Sequence, residues 1–169
     1  MLPTLNFQEM NHRNIIKPIA PSMYNKSFLL LILFFVVSCK KEDKKEYPVE
    51  PTIEFINVSP SELTEGSDHI IISFKYTDGN GDLGENNSTA KNLFVTDNRL
   101  GITYSFRIKQ LAPDGSSIPI TGTLNTDIGT VFITNSTQQQ TANFSLYVVD
   151  RAGNQSNTIT TSAITINAL

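Results

Sequence analysis

The chain has 169 residues, of which 39% are hydrophobic and 17% charged, with a formal net charge of −3 at pH 7. This composition excludes a wholly disordered chain and fits one ordinary domain with additional segments. The body of the sequence has no cluster of Lys and Arg with which to displace the counterions of a phosphate backbone, so no nucleic-acid partner is expected. The single cysteine excludes an intramolecular disulfide, and the domain must therefore be held together by its core.

The first predicted element is the uninterrupted apolar run at residues 28–37. A helix of this length is about 15 Å long, whereas a helix that spans a bilayer needs roughly 20 residues. The run is typical of the hydrophobic region of a signal peptide, with Lys26 before it and the small Ser38 after it. A buried core helix is the alternative, but the run has no polar face and charged residues follow it at once.

Residues 1–38 are therefore predicted to be an N-terminal extension and signal peptide outside the fold. Residues 1–22 would make an unusually long segment before the apolar run. Translation from Met23 is thus an alternative to translation from Met1.

Residues 36–39, Val-Val-Ser-Cys, resemble the lipobox of bacterial lipoproteins, which has an aliphatic residue three positions before the cysteine and a small residue directly before it. The resemblance implies that Cys39 carries diacylglycerol, that the signal is cleaved before it, and that Cys39 becomes the acylated N-terminus. Several acyl chains form a stable membrane anchor, because each buried methylene contributes about 0.8 kcal/mol.

The charged run "KKEDKKE" after Cys39 resembles the export signals of Bacteroidota surface lipoproteins. Lys40 also differs from the aspartate that retains many lipoproteins in the inner membrane. These resemblances imply a lipid anchor in the bacterial outer membrane, with exposure at the cell surface. The alternative interpretation of the charged run is a solvated tether.

Residues 39–51 are predicted to be the acylated cysteine and a charged tether, stiffened by Pro48 and Pro51. The folded domain is expected to span residues 52–169. Short runs of alternating apolar residues, separated by turn-forming residues, predict about eight strands and no amphipathic helix. The predicted strands are at residues 52–58, 69–76, 92–97, 103–111, 117–124, 129–134, 142–150 and 158–166.

This pattern predicts an all-β fold, an antiparallel β-sandwich. The stretches "YTDGNGDLG" and "VVDRAGN" resemble the immunoglobulin-like domains of bacterial surface proteins. The resemblance implies an Ig-like sandwich of about 7–8 strands. It concerns architecture only, because the Cys-Trp-Cys pattern of true immunoglobulin domains is missing from the sequence.

The densest polar chemistry lies in "DGNGDLGE" at residues 78–85. Asp78, Asn80 and Asp82 alternate with glycines, which allow a backbone to curl so that several oxygens converge on a hard cation such as calcium. The loop is not an EF-hand, because Leu83 occupies the position of the required glycine and Thr89 that of the bidentate glutamate. An ordinary Asp/Asn/Gly turn is the alternative.

Asp150 is the predicted fourth metal ligand. In an Ig-like sandwich the strands at residues 69–76 and 142–150 run toward the same end, so the loop at 78–85 and the turn that begins at Asp150 become neighbours. The first strand starts at that end too, beside the tether, a position that resembles the calcium-binding junctions of cadherin-like domains. The alternative is that Asp150 only accepts backbone N–H bonds within its own turn.

Little in the sequence favours an enzyme. His69 is the only histidine after the signal, and it is expected to be an exposed residue at a strand start. Three hypotheses remain: a surface module that binds a glycan or a protein, a structural spacer without a ligand, and, least favoured, a hydrolase based on Asp78 and Asp82. An exposed aromatic patch on one sheet would favour binding over spacing.

Overall fold

The computed structural model describes residues 47–169. The predicted signal peptide, Cys39 and the tether up to residue 46 lie outside the described residues. The described part contains no helix and hence none that is long and apolar enough to cross a membrane.

Residues 47–169 are all-β, as predicted, and form ten short strands. Their bounds are β1 (Thr52–Ser59), β2 (Glu62–Thr64), β3 (Ile71–Asp78), β4 (Leu93–Asp97), β5 (Ile102–Phe106), β6 (Ile120–Asp127), β7 (Gln139–Ala142), β8 (Phe144–Val148), β9 (Ile159–Thr160) and β10 (Ile164–Asn167).

The strands form three sheets, with the orders β1-β3-β6, β2-β10-β7 and β5-β4-β8-β9. All pairs are antiparallel except β2 and β10, which run parallel. The chain changes sheet between β7 and β8, where only Asn143 intervenes, and again between β9 and β10. This arrangement is compatible with an open β-sandwich.

The alternation of residues along β3 explains how the sandwich is filled. Ile72 and Phe74 are fully buried, whereas Lys75 between Phe74 and Tyr76 is exposed. Burial of a large apolar side chain contributes roughly 1.5–3 kcal/mol relative to its exposure. One cluster of buried side chains extends from Ile53 to Ile166. The unit Lys44–Leu169 therefore contains its own hydrophobic core, as an independently folding domain does.

The predicted strand at residues 129–134 is wrong. Gly129 has a φ of 83°, which turns the chain at the end of β6. The segment then follows residues 65–70 through irregular bonds: the amide of Ile70 donates to Gly129 O at 3.0 Å, and that of Gly66 donates to Val131 O at 3.0 Å.

Four of the remaining predicted strands differ from the observed bounds by only one or two residues at an end, and three differ by more. The strand predicted at 117–124 begins only at Ile120, directly after Pro119, which has no N–H to donate to a ladder. The strand predicted at 103–111 ends at Phe106, because the amide of Ile108 donates to Asn92 Oδ1 at 2.6 Å instead of to a neighbouring strand. The strand predicted at 158–166 is divided into β9 and β10.

Candidate functional site

The loop at residues 78–85 is held at its base by a buried carboxylate. Asp78 is 0% exposed at the end of β3, and its Oδ2 accepts a hydrogen bond from the amide of Leu83 at 2.6 Å. The Leu83 side chain is itself 0% exposed and belongs to the core cluster. Hydrogen bonds to an ionised acceptor are short and strong. The loop is thus fastened to the sandwich both by its backbone and by an apolar side chain.

The turn at residues 150–154 is organised in the same way. Asp150 is 6% exposed, and its Oδ1 accepts a bond from the amide of Asn154 at 2.8 Å. Its Oδ2 accepts a second bond from Asn154 Nδ2 at 2.9 Å. Asp150 therefore does form the turn that was the alternative interpretation of this residue.

The loop and the turn are in contact, as the topology predicted. The amide of Arg151 donates to Asp82 O at 3.2 Å. Its guanidinium donates to Gly84 O through Nη1 at 2.7 Å and to Gly81 O through Nη2 at 3.5 Å. The sequence reasoning did not identify Arg151, although a cation one residue after Asp150 was the available signal. Arg151 holds the carbonyl groups of the loop and brings a positive charge to an acidic site.

The electrostatics of the site centre on Asp82. Its pKa is raised, first by desolvation and then by the negative charges of Asp150 and Asp78. The charge of Arg151 and a hydrogen bond with the Asn80 side chain lower it again, but by less. Asp78 and Asp150 therefore both act on Asp82, and the ionised form of Asp82 is disfavoured in the folded protein.

Two buried oxygens of the loop have no hydrogen-bond donor among residues 47–169. They are Asn80 Oδ1 and Asp82 Oδ1. An unsatisfied buried polar group costs about 1–3 kcal/mol, more when it is charged. A hard cation would relieve both costs, because calcium takes six to eight oxygen ligands from carboxylates, amide carbonyls, backbone and water.

The four predicted ligands thus differ in their present bonding. Asn80 and Asp82 have free oxygens, whereas Asp78 and Asp150 already accept hydrogen bonds in their turns. Within the described range, no three side chains of His, Cys, Asp or Glu form a group that could hold a metal. Of the four, Asn80 and Asp82 are therefore the residues whose oxygens are free to bind a cation, whereas Asp78 and Asp150 have only spare lone pairs to offer.

The start of the described chain docks directly onto the loop. The amide of Gly79 donates to Pro48 O at 2.9 Å. A Cβ atom at position 79 would collide with the backbone oxygens of both Tyr47 and Pro48. Only glycine allows this close approach. The loop consequently fixes the direction in which residues 47 and 48 leave the domain.

A second feature, which the sequence reasoning missed, lies on the outer face of the four-stranded sheet β5-β4-β8-β9. Phe94 and Tyr147 are opposite each other on β4 and β8, and their rings stack with centroids 4.9 Å apart and planes 14° apart. The signal was in the alternation: both aromatics occupy positions between buried residues, where a solvent-facing sheet usually has polar ones.

Beside this aromatic pair, one row of hydroxyl groups crosses all four strands. Thr103, Thr96, Ser145 and Thr160 are successive partners across the sheet. The Oγ1 atoms of Thr96 and Thr103 are 2.8 Å apart, and Ser145 Oγ is 3.2 Å from Thr160 Oγ1. Each hydroxyl both donates and accepts, so the row can satisfy a polar ligand that lies flat on the sheet.

The remaining candidates for chemistry are simpler. His69 is exposed, as predicted, with Nδ1 2.8 Å from Asp127 Oδ2. The pKa of Asp127 is lowered by this bond and by the amide of Gly129. A surface depression of about 450 Å³ contains one carboxylate, Asp114, and another of about 280 Å³ contains none. Neither holds the pair of carboxylates on which the hydrolase hypothesis depends.

No protein-family model matches the chain, and no match was found among curated proteins or among solved structures.

The raised pKa of Asp82 predicts the effect of Asp82→Asn on the protein in the presence of a chelator. A group whose pKa is higher in the folded state stabilises the fold at low pH and ceases to do so as the pH rises through that value. The parent should therefore lose stability as the pH rises through the raised pKa of Asp82. At pH 7, Asp82→Asn should have the larger free energy of unfolding. The difference should shrink as the pH is lowered.

Urea denaturation at pH 7 and at successively lower pH measures the difference in free energy of unfolding between the parent and Asp82→Asn. Asp114→Asn, which neutralises an exposed carboxylate outside the loop, is the matched control and should show no such difference. A parent at least as stable as Asp82→Asn at pH 7 would contradict the assigned electrostatics.

Proposed function

We propose that the chain is a lipid-anchored protein of the bacterial outer membrane, exposed at the cell surface, that presents a non-catalytic Ig-like binding module. The acyl chains on Cys39 hold it at the membrane, and calcium at the loop of residues 78–85 stiffens the end of the domain from which the tether leaves. The outer face of the four-stranded sheet binds a glycan.

The strand orders support the Ig-like assignment. Sheets β1-β3-β6 and β5-β4-β8-β9 correspond to the orders A-B-E and C′-C-F-G of an immunoglobulin sandwich that lacks strand D. Under this correspondence the loop at residues 78–85 is the B–C loop and the turn at 150–154 is the F–G turn. These two loops lie at the same end in immunoglobulin-like domains, in agreement with the bonds from Arg151 to the loop.

The feature that most favours a binding module over a structural spacer is the outer face of the four-stranded sheet. A spacer has no need for stacked aromatic rings on a solvent-facing surface, where Phe94 and Tyr147 remain partly exposed. Aromatic side chains provide large and rigid contact areas, and Tyr adds a hydroxyl. Together with the hydroxyl row from Thr103 to Thr160, they suit the apolar ring faces and the many hydroxyls of a glycan.

The unsatisfied oxygens of Asn80 and Asp82 support calcium at the loop. Calcium accepts irregular sets of oxygens, whereas magnesium requires near-octahedral geometry and keeps several waters. When bound, the ion would supply positive charge beside Asp82, whose pKa the charges of Asp150 and Asp78 raise. Because Gly79 of this loop bonds to Pro48, a rigid loop transmits the orientation of the domain to the tether.

The anchor is tested by Cys39→Ala in cells supplied with labelled palmitate. The parent should incorporate the label and fractionate with the outer membrane, whereas Cys39→Ala should incorporate none, because the acylated thiol is missing. Lys40→Asp is the matched control: it should keep the label and remain in the inner membrane. Equal labelling of the parent and Cys39→Ala would refute the anchor.

The binding face is tested with the cysteine-free unit Lys44–Leu169 on an array of bacterial and host glycans. Tyr147→Ala should weaken binding about tenfold, because an aromatic contact contributes about 0.5–1.5 kcal/mol beyond its buried area. The matched control is Phe132→Ala, which removes an aromatic ring that is 57% exposed outside the sheet. Thermal melting verifies that both variants are folded.

Two outcomes would contradict the binding face. If no glycan retains the parent, the spacer hypothesis replaces it. If Tyr147→Ala and Phe132→Ala weaken binding equally, the glycan contacts another surface.

A further inference from the structure

We propose that the domain forms a symmetric dimer in which the β6 strands of two copies pair antiparallel. β6 is an edge strand that pairs only with β3 among the described strands. It has eight residues and a regular register from end to end. An edge of this kind is a template for the addition of another strand.

Three of the five other edge strands, β1, β2 and β9, are protected against such pairing, and the remaining two, β5 and β7, have only five and four residues. β1 is interrupted by a bulge between Phe55 and Asn57 and carries the charged Glu54. β2 and β9 have only three and two residues. β6 has no Pro, Lys or Arg, and its one charged residue, Asp127, stands at its end. Natural proteins usually guard a long edge with charges, Pro, bulges or covering segments, so an unguarded one indicates a pairing surface.

Backbone bonds next to β6 identify which of its groups face outward. The amide of Ile128 donates to Ile70 O, and the amide of Ile70 donates to Gly129 O, both at 3.0 Å. Bonded and non-bonded positions alternate along an antiparallel ladder. The even-numbered residues of β6 are therefore bonded to β3. The residues whose N–H and C=O groups point outward are Thr121, Thr123, Asn125 and Asp127.

Apolar surface lies open beside this edge. A groove of about 280 Å³ is lined by Leu124 of β6 and by Leu93 and Leu111, with Arg107 and Lys109 also in its lining. An added strand beside β6 lies about 4.8 Å from it, where its inward side chains cover this surface.

A second copy fits this edge because β6 is complementary to itself. Centred on Leu124, the antiparallel register places Thr121 opposite the other copy's Asp127, and Thr123 opposite its Asn125. All outward backbone groups of β6 then meet outward groups of the second strand. No like charges oppose each other, and the two Leu124 side chains meet on the twofold axis above the groove. The result is a continuous six-stranded sheet with an isologous interface.

Disulfide trapping in the unit Lys44–Leu169 tests the register, because the natural Cys39 lies outside this unit. Non-bonded antiparallel partners have Cα atoms about 4.5 Å apart, which is within the range that a disulfide bridges. Leu124→Cys should form a covalent dimer under mild oxidation. Ile56→Cys, which is 51% exposed on the bulged strand β1, is the matched control and should remain monomeric. Equal crosslinking of the two variants would overturn the proposal.

Sedimentation equilibrium of two double variants tests the interface without a covalent bond. Thr123→Glu with Asn125→Glu places Glu opposite Glu at both paired positions and should convert the dimer to monomer. Thr123→Glu with Asn125→Lys changes the same positions but pairs opposite charges, and it should restore the dimer. A parent that is monomeric at every concentration, or two variants that associate equally, would overturn the proposal. After either result, the edge strand β6 would pair with a strand of another protein or with no strand.

Discussion

The hydrogen bond from the amide of Leu83 to the buried carboxylate of Asp78 determines how one end of this domain is built. It closes the loop after β3 and directs the Leu83 side chain into the core. Gly79 is thereby placed against Pro48, and Asn80 and Asp82 are placed beside the turn at Asp150. The buried base of the loop thus connects the core, the acidic site and the entry of the chain.

The same end of the domain carries an electrostatic conflict. The negative charges of Asp78 and Asp150 act on the partly desolvated Asp82, and the guanidinium of Arg151 offsets their effect only in part. Two acceptor oxygens remain buried without donors, although such groups are normally satisfied in folded proteins. Unrelieved costs of this kind are characteristic of functional sites, where a ligand provides the missing interactions. The conflict is therefore the physical basis on which calcium is proposed at this loop.

Much of the fold could be predicted because burial imposes a period of two on a strand. The alternation at residues 69–76 puts Ile70, Ile72, Phe74 and Tyr76 on one face, and all four are buried in the structure. The segment at 129–134 also contains apolar and β-branched residues, but the positive φ of Gly129 and its hydrogen bonds to residues 65–70 determine its path. Such long-range bonds leave no local pattern in the sequence. The additional strands β2 and β7 were not predicted, because they have only three and four residues.

The candidate site was predictable to a similar extent. Spacing indicated the acidic residues, and topology indicated the contact between the loop and the turn at Asp150. Neither could reveal that the carboxylates of Asp78 and Asp150 already accept hydrogen bonds from amides of their own loop and turn. These bonds depend on the positions of Leu83 and Asn154. The stacked rings of Phe94 and Tyr147 depend on the register between β4 and β8, which the sequence does not specify.

Hydrogen exchange of the Gly79 amide in the unit Lys44–Leu169 tests most directly whether the loop is a calcium site that fixes the entry of the chain. This amide donates to Pro48 O, so its exchange rate reports how often the loop and the start of the chain separate. A hundredfold excess of calcium over its Kd stabilises the bound state by about 2.7 kcal/mol. If the amide exchanges only when the loop opens and releases the ion, exchange becomes slower by about a hundredfold. Calcium should produce this slowing, and magnesium should not. An exchange rate at Gly79 that is the same with and without millimolar calcium would contradict the account.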